Sequence, residues 1–383
     1  NDTDTVSAAA PSFAIDSAGL GGMYANTISL IANEAGTGVR AFGDLGALGG
    51  AITITADGQL VVGETSANDM VVEATDISMT STSSNIAFTD VDIEAADATA
   101  GGGGQIALTA SSGNVSLTRG TVVASTDTGG AGGDLTITAT DFTDTTAHGT
   151  SGQVNVRTAQ GDMTFVLSGD ASLDEAEYVG VGAVVLGADG LSLGQSAMLG
   201  SQGVVEIDAA GNVSIAGALE AGSATASTID AGGTIDFTSS GSVSAASFEI
   251  DATGALTVAD GASLMLTDDL SLDGASVTLN TDVSVGDDLA LGSASTTDVA
   301  VGATGSASLL SVGGDLTLTG ASLTLQSDLA VTGSTVFDGQ GGTASTTIAS
   351  GSAITSSGGL TLNGVDASID GAVAQTGNIV AGL

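Results

Sequence analysis

The chain has 383 residues, 59 of them glycine, and sets 3 Lys plus Arg against 44 Asp plus Glu for a formal net charge of −41. The absence of cysteine and tryptophan, with only 3% aromatic residues, excludes a disulfide scaffold, a thiolate metal site, thiol catalysis and a bulky aromatic core. Three scattered arginines, Arg40, Arg119 and Arg157, cannot make the basic patch that nucleic acid or an anionic membrane requires, so no nucleic-acid partner is expected. At 42% hydrophobic residues the chain is nevertheless too apolar to be held unfolded by its charge, and its core must be Val, Ile, Leu and Ala.

In chain order, the amino end Asn1-Asp2-Thr3-Asp4 lacks an initiator Met and a basic n-region, and reads as a mature product or an internal segment of something longer. A short unit then recurs: two apolar residues flank one small or polar residue, and a turn of Gly, Asp, Ser, Thr or Ala follows. Strands of this kind bury alternate side chains. Ile28-Ser29-Leu30, Ile52-Thr53-Ile54, Ile77-Ser78-Met79, Ile106-Ala107-Leu108 and Leu135-Thr136-Ile137 are examples. The looser segments Gly101 to Gly104 and Asp141 to Gly152 are expected to project as loops. The apolar stretch at Val181 to Leu186 is far short of the roughly 20 residues of a membrane-spanning helix.

Beyond Leu270 the units are closely spaced, as in Leu270-Ser271-Leu272, Val277-Thr278-Leu279 and Val283-Ser284-Val285. Aligning Leu270, Leu289, Leu309 and Leu329 gives separations of 19, 20 and 20 residues. A longer echo links Asp269 to Leu279 with Asp315 to Leu325, 46 residues downstream. Three short strands in a coil of about 19–20 residues predict an all-β fold, a single parallel β-helix whose apolar residues pile into inward columns. The chain length then corresponds to roughly 20 coils. A sandwich or barrel of hairpins would need longer strands, and no window shows the helical period.

The stretch Leu20-Gly21-Gly22-Met23-Tyr24-Ala25, then Ile28-Ser29-Leu30-Ile31, Glu34-Ala35-Gly36-Thr37-Gly38-Val39-Arg40, Gly43-Asp44-Leu45 and Ala56-Asp57-Gly58-Gln59-Leu60 resembles the filamentous haemagglutinin family. These are giant bacterial exoproteins of two-partner secretion, including adhesins and contact-dependent inhibition proteins. The resemblance covers about residues 12–60. It implies a right-handed β-helical shaft, export through an outer-membrane two-partner-secretion transporter, and attachment or presentation at the cell surface. The family's Asn-Pro-Asn secretion motifs are absent, which places the chain as a downstream shaft segment. Its lack of basic surface departs from the family members that bind sulfated glycans. On this reading residues 1–60 are haemagglutinin-like coils, 61–180 are less regular coils with projecting loops, and 181–383 are a regular shaft. Met23 and Tyr24 are expected to plug the core, and Arg40 to pair with Glu34 or a turn carbonyl.

Candidate chemistry is sparse. Asp90-Val91-Asp92-Ile93-Glu94 alternates, so Asp90, Asp92 and Glu94 are expected to share an outer face, either as a solvated row or as ligands for Ca2+, which takes six to eight oxygens. Asp174-Glu175-Ala176-Glu177 beside Tyr178 is a second acidic cluster. Aspartates at Asp269, Asp282, Asp288, Asp298, Asp315 and Asp328 recur at turns. Stacked at about 4.8 Å, two carboxylates would repel by only about 0.9 kcal/mol in water, yet the repulsion would repeat along the axis. Salt or calcium is expected to relieve it. Lone His148 reads as an exposed loop residue, and Gly101 to Gly104 is no phosphate loop because no Lys follows.

The sequence therefore points to a secreted or surface-exposed shaft without enzymatic activity. Its expected partners are the transporter, host or neighbouring-cell glycans or proteins, and further copies stacked end to end as a filament. The alternative is a carbohydrate-processing β-helix using outward carboxylates.

Overall fold

The computed structural model of the chain describes residues 12–17, 21–47, 49–63, 70–96, 104–125, 133–145, 154–302, 309–339, 344–363 and 365–382. They form two compact units, Asn1–Gly169 and Asp170–Leu383. Among the described residues there is no helix, and the strand pairings are parallel. The fold is a parallel β-solenoid.

In strand Ile52–Ala56, Ile52, Ile54 and Ala56 are buried while Thr53 and Thr55 are half-buried, the alternation that the apolar-polar-apolar unit dictates. Each coil supplies three strands. Ile52–Ala56 is followed by Leu60–Val62 and Met70–Ala74 before Ile77–Ser81 begins the next rung. Ile28, Ile52, Ile77, Ile106, Leu135 and Met163 stack in register through the first unit. Leu272, Leu291, Leu318, Phe337 and Leu362 do the same in the second. These columns are the core, and the aliphatic residues in them are almost wholly removed from water.

The coil length departs from the expected constant 19–20 residues. Ile77 pairs with Ile106 and Ile106 with Leu135, each 29 residues on, whereas Leu270 pairs with Leu289 after 19 and Leu289 with Leu316 after 27. The 46-residue echo is thus two complete coils of unequal length, 19 + 27. The solenoid has about 15 turns rather than roughly 20. The alignment through Leu309 fails for the same reason. It is Leu310 that lies in register between Val283 and Leu329, and Leu309 is 47% exposed. A parallel ladder constrains only its strands, so a corner can lengthen without disturbing the stack.

Corners have their own requirements. A Cβ on Gly133 would sit 1.7 Å from the Gly104 carbonyl oxygen, and one on Gly161 would sit 2.4 Å from that of Gly133, so these three stack where successive coils approach too closely for a side chain. Gly104 thereby gains a structural role, while 101–103, residues 146–152 and His148 lie outside the described residues. In the 11-residue strands Ile86–Ala96 and Val115–Ser125 the corner falls inside the strand, at Asp90 (φ 50°) and Arg119 (φ 59°).

The register makes a direct prediction. Leu310→Ala should cost about 2–5 kcal/mol, as for a buried leucine, whereas Leu309→Ala should stay within about 0.5 kcal/mol of the parent. Urea denaturation of the two variants checks this, and equal losses would contradict the register.

Candidate functional site

The haemagglutinin-like stretch closes as a clasp between neighbouring coils. Tyr24 is 71% exposed, so it does not plug the core, and Met23 is only half-buried. The Tyr24 ring covers the backbone of the next coil. A Cβ on Gly46 would lie 2.7 Å from the ring and one on Gly22 would lie 2.8 Å from it, which explains both glycines. The Tyr24 hydroxyl donates to Asp44 Oδ2 at 3.1 Å, and that hydrogen bond, with the nearby carboxylate charge, raises the phenol's pKa. Asp44 Oδ1 accepts the Val71 backbone N–H at 3.0 Å. Arg40 pairs with Asp16 rather than Glu34, with Nε donating to Oδ1 at 3.1 Å and a second bond from Nη2 to Oδ2. Its guanidinium lies 4.9 Å from the Phe13 ring centre and 5.1 Å from that of Phe42.

Asp90, Asp92 and Glu94 do not form one outer row. The left-handed corner turns Asp90 inward, where it is 3% exposed and ion-paired with Arg119, the equivalent corner residue one coil on. A buried carboxylate needs such a partner. Asp92 faces outward and its Oδ1 accepts the N–H of Thr121 at 3.1 Å and its hydroxyl at 2.8 Å. Glu94 is exposed. In the second cluster Tyr178 is fully buried, Asp174 is exposed, and Glu175 and Glu177 are half-buried.

The turn aspartates stand on a staircase. Asp269 accepts the backbone N–H of Asp288 at 3.0 Å, Asp288 that of Asp315 at 2.7 Å, and Asp315 that of Ser334 at 2.7 Å. Asp282 and Asp328 likewise accept from Leu309 at 2.7 Å and Ala353 at 2.9 Å. Each carboxylate thus satisfies a backbone donor of the following coil, an attraction that offsets the repulsion between like charges. Asp269, Asp287 and Asp288 are exposed and offer carboxylate oxygens within 4.8 Å of one another, a set that a hard cation could bridge. The neighbouring Asp288, above all, holds Asp287 above the usual carboxylate range.

A second acidic array was hidden by the irregular coil length. Asp208, Asp230, Asp251 and Asp273 stack in register on four successive strands. Together with Thr253 and Ser295 they line an open groove of about 530 Å3. The signal was the recurrence of Glu206-Ile207-Asp208-Ala209, Thr228-Ile229-Asp230-Ala231 and Glu249-Ile250-Asp251-Ala252 at intervals of 22 and 21 residues. Burial raises the Asp251 pKa, assisted by Glu249, Asp273 and Asp230. The groove has carboxylates close enough for acid–base pairing but no arginine in its lining.

Two curated proteins match part of the chain. Over 51 residues, 13% of the chain, it is 57% identical to Toxin CdiA of Yersinia pestis. Over 53 residues, 14% of the chain, it is 49% identical to tRNA nuclease CdiA-2 of Burkholderia pseudomallei strain 1026b. Each match spans only 2% of the relative's length, and the nuclease activity in the second name is that protein's. No protein-family model and no solved structure matches the chain.

Asp251 sets the sign of a pH effect. Its folded-state pKa lies above the unfolded value of 3.8, so its contribution to stability is fully present below that value and is lost as pH rises through the folded pKa. Asp251→Asn should therefore raise Tm at neutral pH and flatten the part of the pH profile just above the ordinary Asp range. Thermal melts across that range check it, and a lower neutral Tm in the variant would contradict it.

Proposed function

We propose that the chain is a non-enzymatic shaft segment of a large secreted bacterial exoprotein of the two-partner type. It would leave the cell through an outer-membrane transporter and hold an adhesive or toxic end away from the surface. The observation that carries this reading is the in-register parallel ladder within each unit, which gives every coil the same task of stacking on its neighbour. Such an architecture suits export in an unfolded state, because each coil that emerges can fold on the one before it. The absence of cysteine removes any need for oxidative folding. The short similarity to CdiA proteins supports the export route.

Calcium belongs to this proposal as a shielding ion for the exposed Asp269, Asp287 and Asp288. End-to-end filaments and contacts with glycans or proteins of a neighbouring cell are further parts of it. The competing carbohydrate-processing reading draws on the aspartate groove and predicts loss of polysaccharide viscosity on incubation with the protein. The shaft reading predicts none.

The export test joins the chain to a two-partner secretion domain and places an epitope after Leu383. With the cognate transporter present the epitope should become accessible to antibody on intact cells, and without it the epitope should stay inside. Retention in the periplasm despite the transporter would overturn the proposal.

A further inference from the structure

The outward side of one sheet in the first unit is built unlike the rest of this acidic chain. Thr53, Ser78, Ala107, Thr136 and Thr164 stack in register in one column. Thr55, Thr80, Thr109 and Thr138 stack in a parallel column two residues along. Ile31 precedes the second column and Val166 follows it, both more than half exposed. Among the described residues of these six strands no outward position carries a charge.

The fold does not require this neutrality. The equivalent columns of the second unit hold Glu206, Asp208, Asp230, Glu249, Asp251 and Asp273. Strands on the other face of the first unit hold Asp92, Glu94 and Glu73 at outward positions. Nor are the hydroxyls occupied. Thr82 and Thr297, at corners, bond to backbone carbonyls of the preceding coil, but the column threonines have no hydrogen bond to the protein. Their hydroxyls are left to water.

The geometry of the columns is that of a lattice. Neighbouring strands lie about 4.7–4.9 Å apart, and outward residues along a strand lie about 6.6 Å apart. Threonine is stiff at χ1, so each site repeats a methyl and a hydroxyl in nearly fixed positions. Water bridging neighbouring hydroxyls is thereby held at two nearly perpendicular, regular spacings, which are close to those of oxygen rows in hexagonal ice. Charged side chains would gather hydration shells incompatible with that order, and here they are absent.

We propose that this threonine face binds the surface of ice. The ligand is a crystalline, neutral, hydrogen-bonding lattice, and the bound water between the columns merges with it. The proposal stands apart from the export reading, since it concerns one face of one unit.

The test is partition of the purified full chain into slowly grown polycrystalline ice, with inhibition of ice recrystallisation as a second readout. Wild type should be enriched in the ice several-fold over Thr80→Tyr/Thr138→Tyr, while Thr228→Tyr in the second unit should behave as wild type. Circular dichroism should be the same for all, because the substituted side chains point outward. Thr109→Lys, a single charge in the column, should reproduce the loss if the double variant fails to fold. Exclusion of wild type from ice would overturn the proposal, as would full retention by the column variants. A loss shared with Thr228→Tyr, or a solution dimer that only the column variants abolish, would also overturn it.

Discussion

The backbone ladder between equivalent strands of successive coils is the constraint on which everything else rests. Because each N–H and C=O of a rung is committed to the rungs beside it, a residue's neighbours are its equivalents one coil away. Composition along the chain is thereby converted into columns. An aliphatic column excludes water, a glycine column lets corners approach, and a column of one charge repels itself. Few large side chains are needed, which is how a chain with 3% aromatic residues builds a core.

The same constraint explains the acidic residues. On the staircase, each aspartate spans one coil and binds a backbone donor of the next, so the charge is put to structural use. In the groove, Asp230, Asp251 and Asp273 stack without that relief, and the Asp251 proton is held more tightly as a result. The haemagglutinin-like stretch follows the same logic. Its Gly22, Tyr24, Asp44 and Gly46 meet across one coil boundary as a hydrogen bond and a ring laid over backbone. A motif read along the sequence is here a contact read across the ladder.

Much of this was legible beforehand. Units such as Leu270-Ser271-Leu272 fix strand, face and class, because alternation alone decides which side chains face inward. Coil length was not legible, since the step from Leu289 to Leu316 is lengthened at corners that leave the ladder untouched. Leu309 and Leu310 are equally apolar, so composition could not choose between them. The alternation argument failed at Asp90 because a left-handed corner lies within the strand and puts Asp90 and Val91 both inside. Tyr24 was misplaced because an aromatic in a glycine-rich stretch suggests a core plug, whereas bare glycine backbone offers the ring a surface outside.

The most direct test of the ladder uses the chain's lack of cysteine. Ala290 and Thr317 are in-register outward neighbours, so the pair Ala290→Cys/Thr317→Cys should form an intramolecular disulfide readily under mild oxidation. The pair Ala290→Cys/Leu309→Cys, which a constant coil length would bring together, should not. Efficient closure of the second pair in preference to the first would contradict the stacking described for these coils.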